Sequence, residues 1–168
     1  VGHQIAIRAA EPADLEPLFS LIVELAEYER APEQVTGTPE LLGQALFGPH
    51  PMAEAVIAEL DGEPAGFALF HGSFSTWECR PGLWLEDLYV PREQRRGGIG
   101  AALLAEVAAI ALERGCARLE WAALDWNAPA LDFYEKLGAR RLDEWVMHRL
   151  DREALCRVTG AARPPADA

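Results

Sequence analysis

Leu83-Trp84-Leu85-Glu86-Asp87-Leu88-Tyr89-Val90, followed closely by Arg95-Arg96-Gly97-Gly98-Ile99-Gly100, is the stretch on which the fold turns. The first segment is the most strand-like in the chain, but its alternation slips at two adjacent acids, Glu86 and Asp87. A β-bulge there would re-aim side chains, and bulges gather near active sites. The second segment is a glycine-rich turn that opens a long helix, with Ile99, Leu103, Leu104, Val107, Ile110 and Ala111 on one face and Gly115 at its end. Small residues let the backbone bend tightly, so several N–H groups can converge on a phosphate oxygen. The helix that follows adds its positive dipole end to the same spot. Arg92, Arg95 and Arg96 form the densest basic cluster in an otherwise acidic chain. The spacing matches neither the dinucleotide-binding fingerprint nor the P-loop. A turn with a solvated basic face is the alternative.

Upstream, Ile5-Ala6-Ile7-Arg8 alternates as a short edge strand does. From Leu15 to Ala26 apolar residues recur at helical spacing, with Asp14 as a cap and with Tyr28 and Glu29 at the end, before Pro32. Thr38 followed by Pro39 signals a second helix, stopped at Gly48-Pro49. Ala53 to Leu60 and Ala65 to Phe70 read as strands joined at Asp61-Gly62-Glu63-Pro64, a hairpin turn. His71 to Gly82 reads as an irregular loop. Downstream come a strand over 118–124, a helix from Asn127 through Leu137, and a last strand over 140–149. One domain over 1–158 and a flexible tail over 159–168, rich in Ala and Pro, complete the prediction.

The composition narrows the function. A net charge of −12, from 27 acidic and 15 basic side chains, is the wrong sign for a nucleic-acid binder and favours cationic partners. Acidity that only maintains solubility is the alternative. Cys79, Cys116 and Cys156 stand far apart with no metal-ligand spacing, and read as reduced thiols in a cytoplasmic setting. No run is long and apolar enough to span a bilayer, and the start lacks signal-peptide character, so no membrane association is expected.

Asp125 to Tyr134 forms a second constellation. Asn127 suits a helix cap, and Tyr134 lies seven residues on, two turns along the same face. A tyrosine so placed can hydrogen-bond a thioester sulfur and protonate a departing thiolate; a core tyrosine with a satisfied hydroxyl is the alternative.

Arg-x-x-Gly-x-Gly after a strand, then Asn-x-x-Ala-x-x-x-Tyr-x-x-x-Gly, resembles the pairing seen in the GNAT N-acetyltransferases, and the similarity runs from Ile5 to about Leu155. The segments Leu21 to Glu29, Leu85-Glu86-Asp87 and Trp126-Asn127-Ala128-Pro129 resemble the diamine (spermidine/spermine) and thialysine acetyltransferase branch. The resemblance implies an α+β fold: a mixed, mostly antiparallel sheet flanked by helices and splayed where acetyl-CoA enters. It implies that the backbone of Leu88, Tyr89 and Val90 holds the pantetheine arm. The loop, Arg95 included, would take the pyrophosphate, with Arg96, Gly97, Gly98, Ile99, Gly100 and Ala101 wrapping it. Asn127, Ala128, Pro129 and Ala130 would also touch coenzyme A, and Tyr134 would be the general acid. Tyr28, Glu29, Glu86, Glu120, Trp121 and Ala122 match amine-binding positions, and a homodimer is implied. One departure is visible: Arg96 stands where close relatives often have glycine.

The chemistry sets a difficulty. A free alkylamine has a pKa near ~10.4, so only about one molecule in a thousand is nucleophilic at neutral pH. Glu86 is the candidate to accept its proton, directly or through a water, with Asp87 beside it to hold the cation or assist. A hydrated edge or an arginine ion pair is the alternative for these two acids. Other acceptors, such as a protein N-terminus, an amino acid or an antibiotic amine, stay open, as does a non-catalytic module that binds coenzyme A.

Overall fold

The computed structural model describes residues 4–161. The chain divides into two compact units, one through Ala122 and one from Ala123.

The first unit is built on a five-stranded sheet in sequential order: β1 (Ile5–Ala9), β2 (Glu54–Leu60), β3 (Glu63–Ser75), β4 (Arg80–Tyr89) and β5 (Leu119–Glu120). The first four strands are antiparallel; β5 runs parallel to β4 and pairs only Leu83 with Leu119 and Trp84 with Glu120. Leu85 to Tyr89 therefore have no β5 partner, and the sheet is splayed along that half of β4. The sheet is mixed, mostly antiparallel and flanked by helices, as expected.

Three helices accompany it: α1 (Leu15–Tyr28), α2 (Pro39–Phe47) and α3 (Ile99–Glu113). Phe67, Tyr89 and Ile57 bury themselves with Leu18, Leu21 and Leu25 of α1 in one core. Full burial of side chains of this size stabilises by about 1.5–3 kcal/mol each. The opposite face carries α3, whose Leu103 comes within 3.4 Å of the Cβ position of Gly66.

Local signals explain most boundaries. Thr38 caps α2, its hydroxyl accepting from the N–H of Leu41. Asp61 and Gly62 turn the β2–β3 hairpin with φ of 55° and 91°, the left-handed pair that a two-residue turn demands. Asp14 stands directly before α1 but does not cap it. Its carboxylate instead accepts two hydrogen bonds from Arg8, at 2.6 and 2.8 Å, and one from the N–H of Glu11 at 2.7 Å.

Three expectations need correction. Residues 71–82 are no irregular loop: β3 continues to Ser75 and β4 begins at Arg80, pairing Ser75 with Arg80 and His71 with Trp84. The strand expected over 118–124 shrinks to two residues, because β4 offers β5 only two pairing positions. No strand forms over 140–149 among the described residues. Trp145, Val146 and Met147 there are 65%, 74% and 68% exposed, without the paired edge that a strand requires.

The second unit holds α4 (Ala128–Lys136) and α5 (Arg152–Thr159). The sequence reading missed α5, which Asp151 caps by accepting from the N–H of Ala154 at 2.7 Å. The tail expected from 159 starts on the last residue of that helix, and 162–168 lie outside the described residues.

Candidate active site

The bulge expected at Glu86-Asp87 is present. Phe70 pairs with Leu85 and Leu69 with Asp87, so Glu86 is the extra residue. Its consequence follows from the period of two. Leu83 and Leu85 point into the core beside Phe70, and without the insertion residue 87 would follow them. The extra residue shifts Asp87 onto the other face, with Leu69, Phe67 and Tyr89, where α1 packs. Trp84 and its partner His71 share that face, and Glu120 joins the row through its pairing with Trp84.

Glu86 lies against this row: Trp84 Nε1 donates to its Oε2 at 2.9 Å, and His71 Nε2 stands 3.7 Å from the same oxygen. Glu120 Oε2 is held by Arg118 at 2.8 Å. Burial, then the charges of Glu86 and Glu29, pushes the Asp87 carboxyl up to about 6. Burial also raises Glu29, which caps the C-terminal end of α1, where Arg30 turns the chain with φ of 63°. Glu86 and Glu29 thus both act on Asp87, with no cation among the causes that shift it. A bound cation relieves that repulsion.

Tyr28 is the last residue of α1, and the Arg95 guanidinium lies 4.4 Å from its ring centroid. Arg95 also lies 5.8 Å from the Tyr89 ring and donates from Nε to the carbonyl of Val90 at 2.8 Å. This arginine, read from sequence as part of the phosphate loop, ties that loop to the end of α1. The loop supplies the remaining features of an anion site. Gly98, at φ 87°, opens α3 without a side-chain cap, and the first helical bond runs from Ala102 N to its carbonyl. The N–H groups of Ile99, Gly100 and Ala101 are therefore left over at the positive end of a 15-residue helix. No heavy atom stands within 4 Å of a Cβ built on Gly98, so a ligand can approach the backbone closely. Arg92 and Arg96 are exposed beside it. These residues fit a pyrophosphate. Arg96 adopts φ of 73°, a conformation that glycine takes without strain, so the arginine stands here at a backbone cost.

Leu88 is half-buried and Tyr89 and Val90 are buried on the splayed half of β4. Trp121 and Ala122 follow β5 outside any strand. In the second unit, Asn127 occupies the N-cap of α4, with Pro129 in the first turn and Ala128 and Ala130 flanking it. The Asn127 side chain does not cap the helix; its backbone carbonyl accepts from Ala130 and Leu131 instead. Tyr134 is half-buried on α4, its ring 5.2 Å from that of Phe133. Sequence reading missed His71, because the residues around it did not announce a strand.

An open sheet with a phosphate-suited turn after β4 defines an acyltransferase architecture, and residues 18–139 match the acetyltransferase (GNAT) family. The chain belongs to that family and is an N-acetyltransferase. It is 40% identical over 167 residues to a thialysine N-epsilon-acetyltransferase of Bos taurus, covering 93% of this chain and 98% of the relative. An L-ornithine N5-acetyltransferase of Arabidopsis thaliana is 27% identical, with 92% of this chain and 88% of the relative covered. Among solved structures, an integron cassette protein from the mobile metagenome of V. cholerae shares the fold. Its TM-score is 0.78 at 24% identity, with 94% of this chain and 98% of that one covered.

Proposed function

We propose that this protein transfers an acetyl group from acetyl-CoA to the terminal amine of a small cationic acceptor, a thialysine-like amino acid or a diamine or polyamine. The observation that carries the reading is the Glu86 bulge, which puts Asp87 on the face bearing α1 and raises its pKa beside Glu86 and Glu29. The 40% identity to a thialysine acetyltransferase supports the acceptor class.

The cofactor supplies an activated thioester carbonyl, and the residues do the rest. The N–H groups of Ile99, Gly100 and Ala101, with Gly97, Gly98 and Arg96, hold the pyrophosphate. The backbone of Leu88, Tyr89 and Val90 aligns the pantetheine arm, although the Val90 carbonyl already serves Arg95. Asn127, Ala128, Pro129 and Ala130 are proposed as further cofactor contacts. Asp87, Glu29 and Tyr28 hold the acceptor's positive charge, joined by Glu120, Trp121 and Ala122. Glu86 takes the proton of the attacking ammonium, and Tyr134 protonates the departing sulfur.

Direct attack needs no covalent enzyme intermediate. A single cytoplasmic domain over 1–158, working as a homodimer, belongs to the same proposal. Phe74 and Trp77, 62% and 87% exposed toward the tip of the β3–β4 hairpin, offer apolar surface for an interface. Light scattering on the purified protein checks the mass.

The test is thiol release from acetyl-CoA against thialysine, lysine, putrescine, spermidine and spermine, with Tyr134→Phe alongside. Saturable turnover on one amine, reduced at least about a hundred-fold in the variant, is expected. Tight acetyl-CoA binding with no turnover on any amine would sink the small-cation reading.

A further inference from the structure

We infer that His71 is a proton relay for Glu86, carrying to solvent the proton that each turnover leaves on that carboxylate. This rests on the proposed role of Glu86.

The need comes from the balance of the reaction. An ammonium and a thioester become an amide, a thiol and one free proton. The ammonium first loses a proton to Glu86. Its nitrogen then forms the C–N bond, the C–S bond breaks, and sulfur leaves with the electron pair. The nitrogen's second proton balances the one that the sulfur receives. One proton remains on Glu86, and it must leave before the next cycle. The Glu86 side chain is 56% exposed; an acceptor and acetyl-CoA seated against it would cover its substrate side and leave the opposite side for the proton's exit.

The structure offers an exit on the other side. His71 and Trp84 are cross-strand partners, and both address the same oxygen of Glu86, Oε2, at 3.7 and 2.9 Å. Oε1 is left for the acceptor. His71 Nδ1 lies 3.1 Å from the carbonyl oxygen of Gly72. A carbonyl only accepts, so Nδ1 carries a ring proton, and the Nδ1–H tautomer has its Nε2 lone pair on the side of Glu86. That is the tautomer a proton acceptor requires. The 3.7 Å gap closes by a small side-chain rotation or one bridging water. A half turn of the Glu86 carboxyl brings the acquired proton to that side.

The ring can also discharge. The His71 side chain is 40% exposed and lines a cavity of about 470 Å³ with Leu46, Met52, Ala53 and Glu54. Of the charged groups, Glu86 on β4 meets the ring and Glu54 on β2 lines the same cavity, while Asp87 and Glu120 share the His71 face of the sheet. Both Glu54 oxygens are already engaged by Arg114, at 2.6 and 2.7 Å, so Glu54 does not compete for the proton. Imidazole is the side chain that exchanges protons most readily near neutral pH.

The experiment is steady-state turnover at saturating acetyl-CoA and thialysine, or the acceptor that the amine panel selects, for His71→Ala, His71→Asn and Glu86→Gln, with and without added 4-methylimidazole. His71→Ala is expected to lose kcat by at least about ten-fold with little change in KM for either substrate, and the free base to restore it in a saturable manner. His71→Asn retains a donor for the Gly72 carbonyl yet relays no proton, so it should be equally slow. A ten-fold loss in His71→Ala that 4-methylimidazole leaves untouched, or full kcat in His71→Asn, would overturn the relay while leaving Glu86 in place. Full kcat in Glu86→Gln would overturn the assignment of Glu86 itself, and the relay with it.

Discussion

Asp14 and Asp87 are both aspartates drawn out of water, and their surroundings drive them in opposite directions. Asp14 is buried under a bidentate hydrogen-bonded pair with Arg8, which holds its carboxyl below the usual range despite the cost of burial. Asp87 has no cation among its causes: burial and the like charges of Glu86 and Glu29 raise it to about 6. The first carboxylate has its charge matched by the fold and serves stability. The second stands among like charges, which costs the protein stability, and under the proposed function the acceptor's ammonium would match it.

The largest expected effect removes the unmatched charge. Asp87→Asn should raise KM for the amine by about a hundred-fold, roughly 2.7 kcal/mol of lost charge pairing, while the thermal midpoint stays level or rises. Initial-rate kinetics and a melting curve read both halves. A lowered midpoint with unchanged KM would assign Asp87 to the fold and erase the contrast.

Next, Asp14→Asn should cost about 1–3 kcal/mol of folding stability with kcat per folded molecule unchanged. The pH dependence separates the two sites by sign. Asp14 has a depressed folded pKa, so its contribution is full above the unfolded aspartate value and is lost as pH falls through the folded one. Asp87 has a raised folded pKa, so the folded state holds its proton more tightly and stability declines as pH rises from about 4 toward 6. Denaturant titrations from pH 3 to 7 should therefore lose the acid limb in Asp14→Asn and the opposing slope in Asp87→Asn.

The smallest effect comes from pairing without burial. Glu54 and Arg114 make a bidentate pair at 2.6 and 2.7 Å, but their side chains are 47% and 44% exposed. Arg114→Met should change stability by less than about 1 kcal/mol, and less still in high salt. A loss matching that of Asp14→Asn would mean that geometry, and not desolvation, sets the value of these pairs.

Much of this was legible in the chain. The Thr38-Pro39 start of α2, the Asp61-Gly62 turn and the bulge at Glu86-Asp87 all follow from local chemistry: a hydroxyl next to a proline, a left-handed pair, and a broken alternation. The glycine loop before α3 was legible for the same reason. The continuation of β3 through His71 to Ser75 was not. Gly72, Ser73 and Ser75 have weak strand preference and become a strand only because the start of β4 satisfies their backbone. The apolar run at Trp145, Val146 and Met147 shows the converse, since without a paired edge it made no strand.

The sequence by itself determined the acetyltransferase family, the phosphate-suited turn and the presence of two acids where β4 breaks step, because each depends on neighbours a few residues apart. Only the tertiary structure decided which way those acids face, that Arg95 spends its guanidinium on Tyr28 and Val90, and that His71 meets Glu86. Such choices depend on strand register, and a one-residue insertion exchanges every later side chain between the two faces of a sheet.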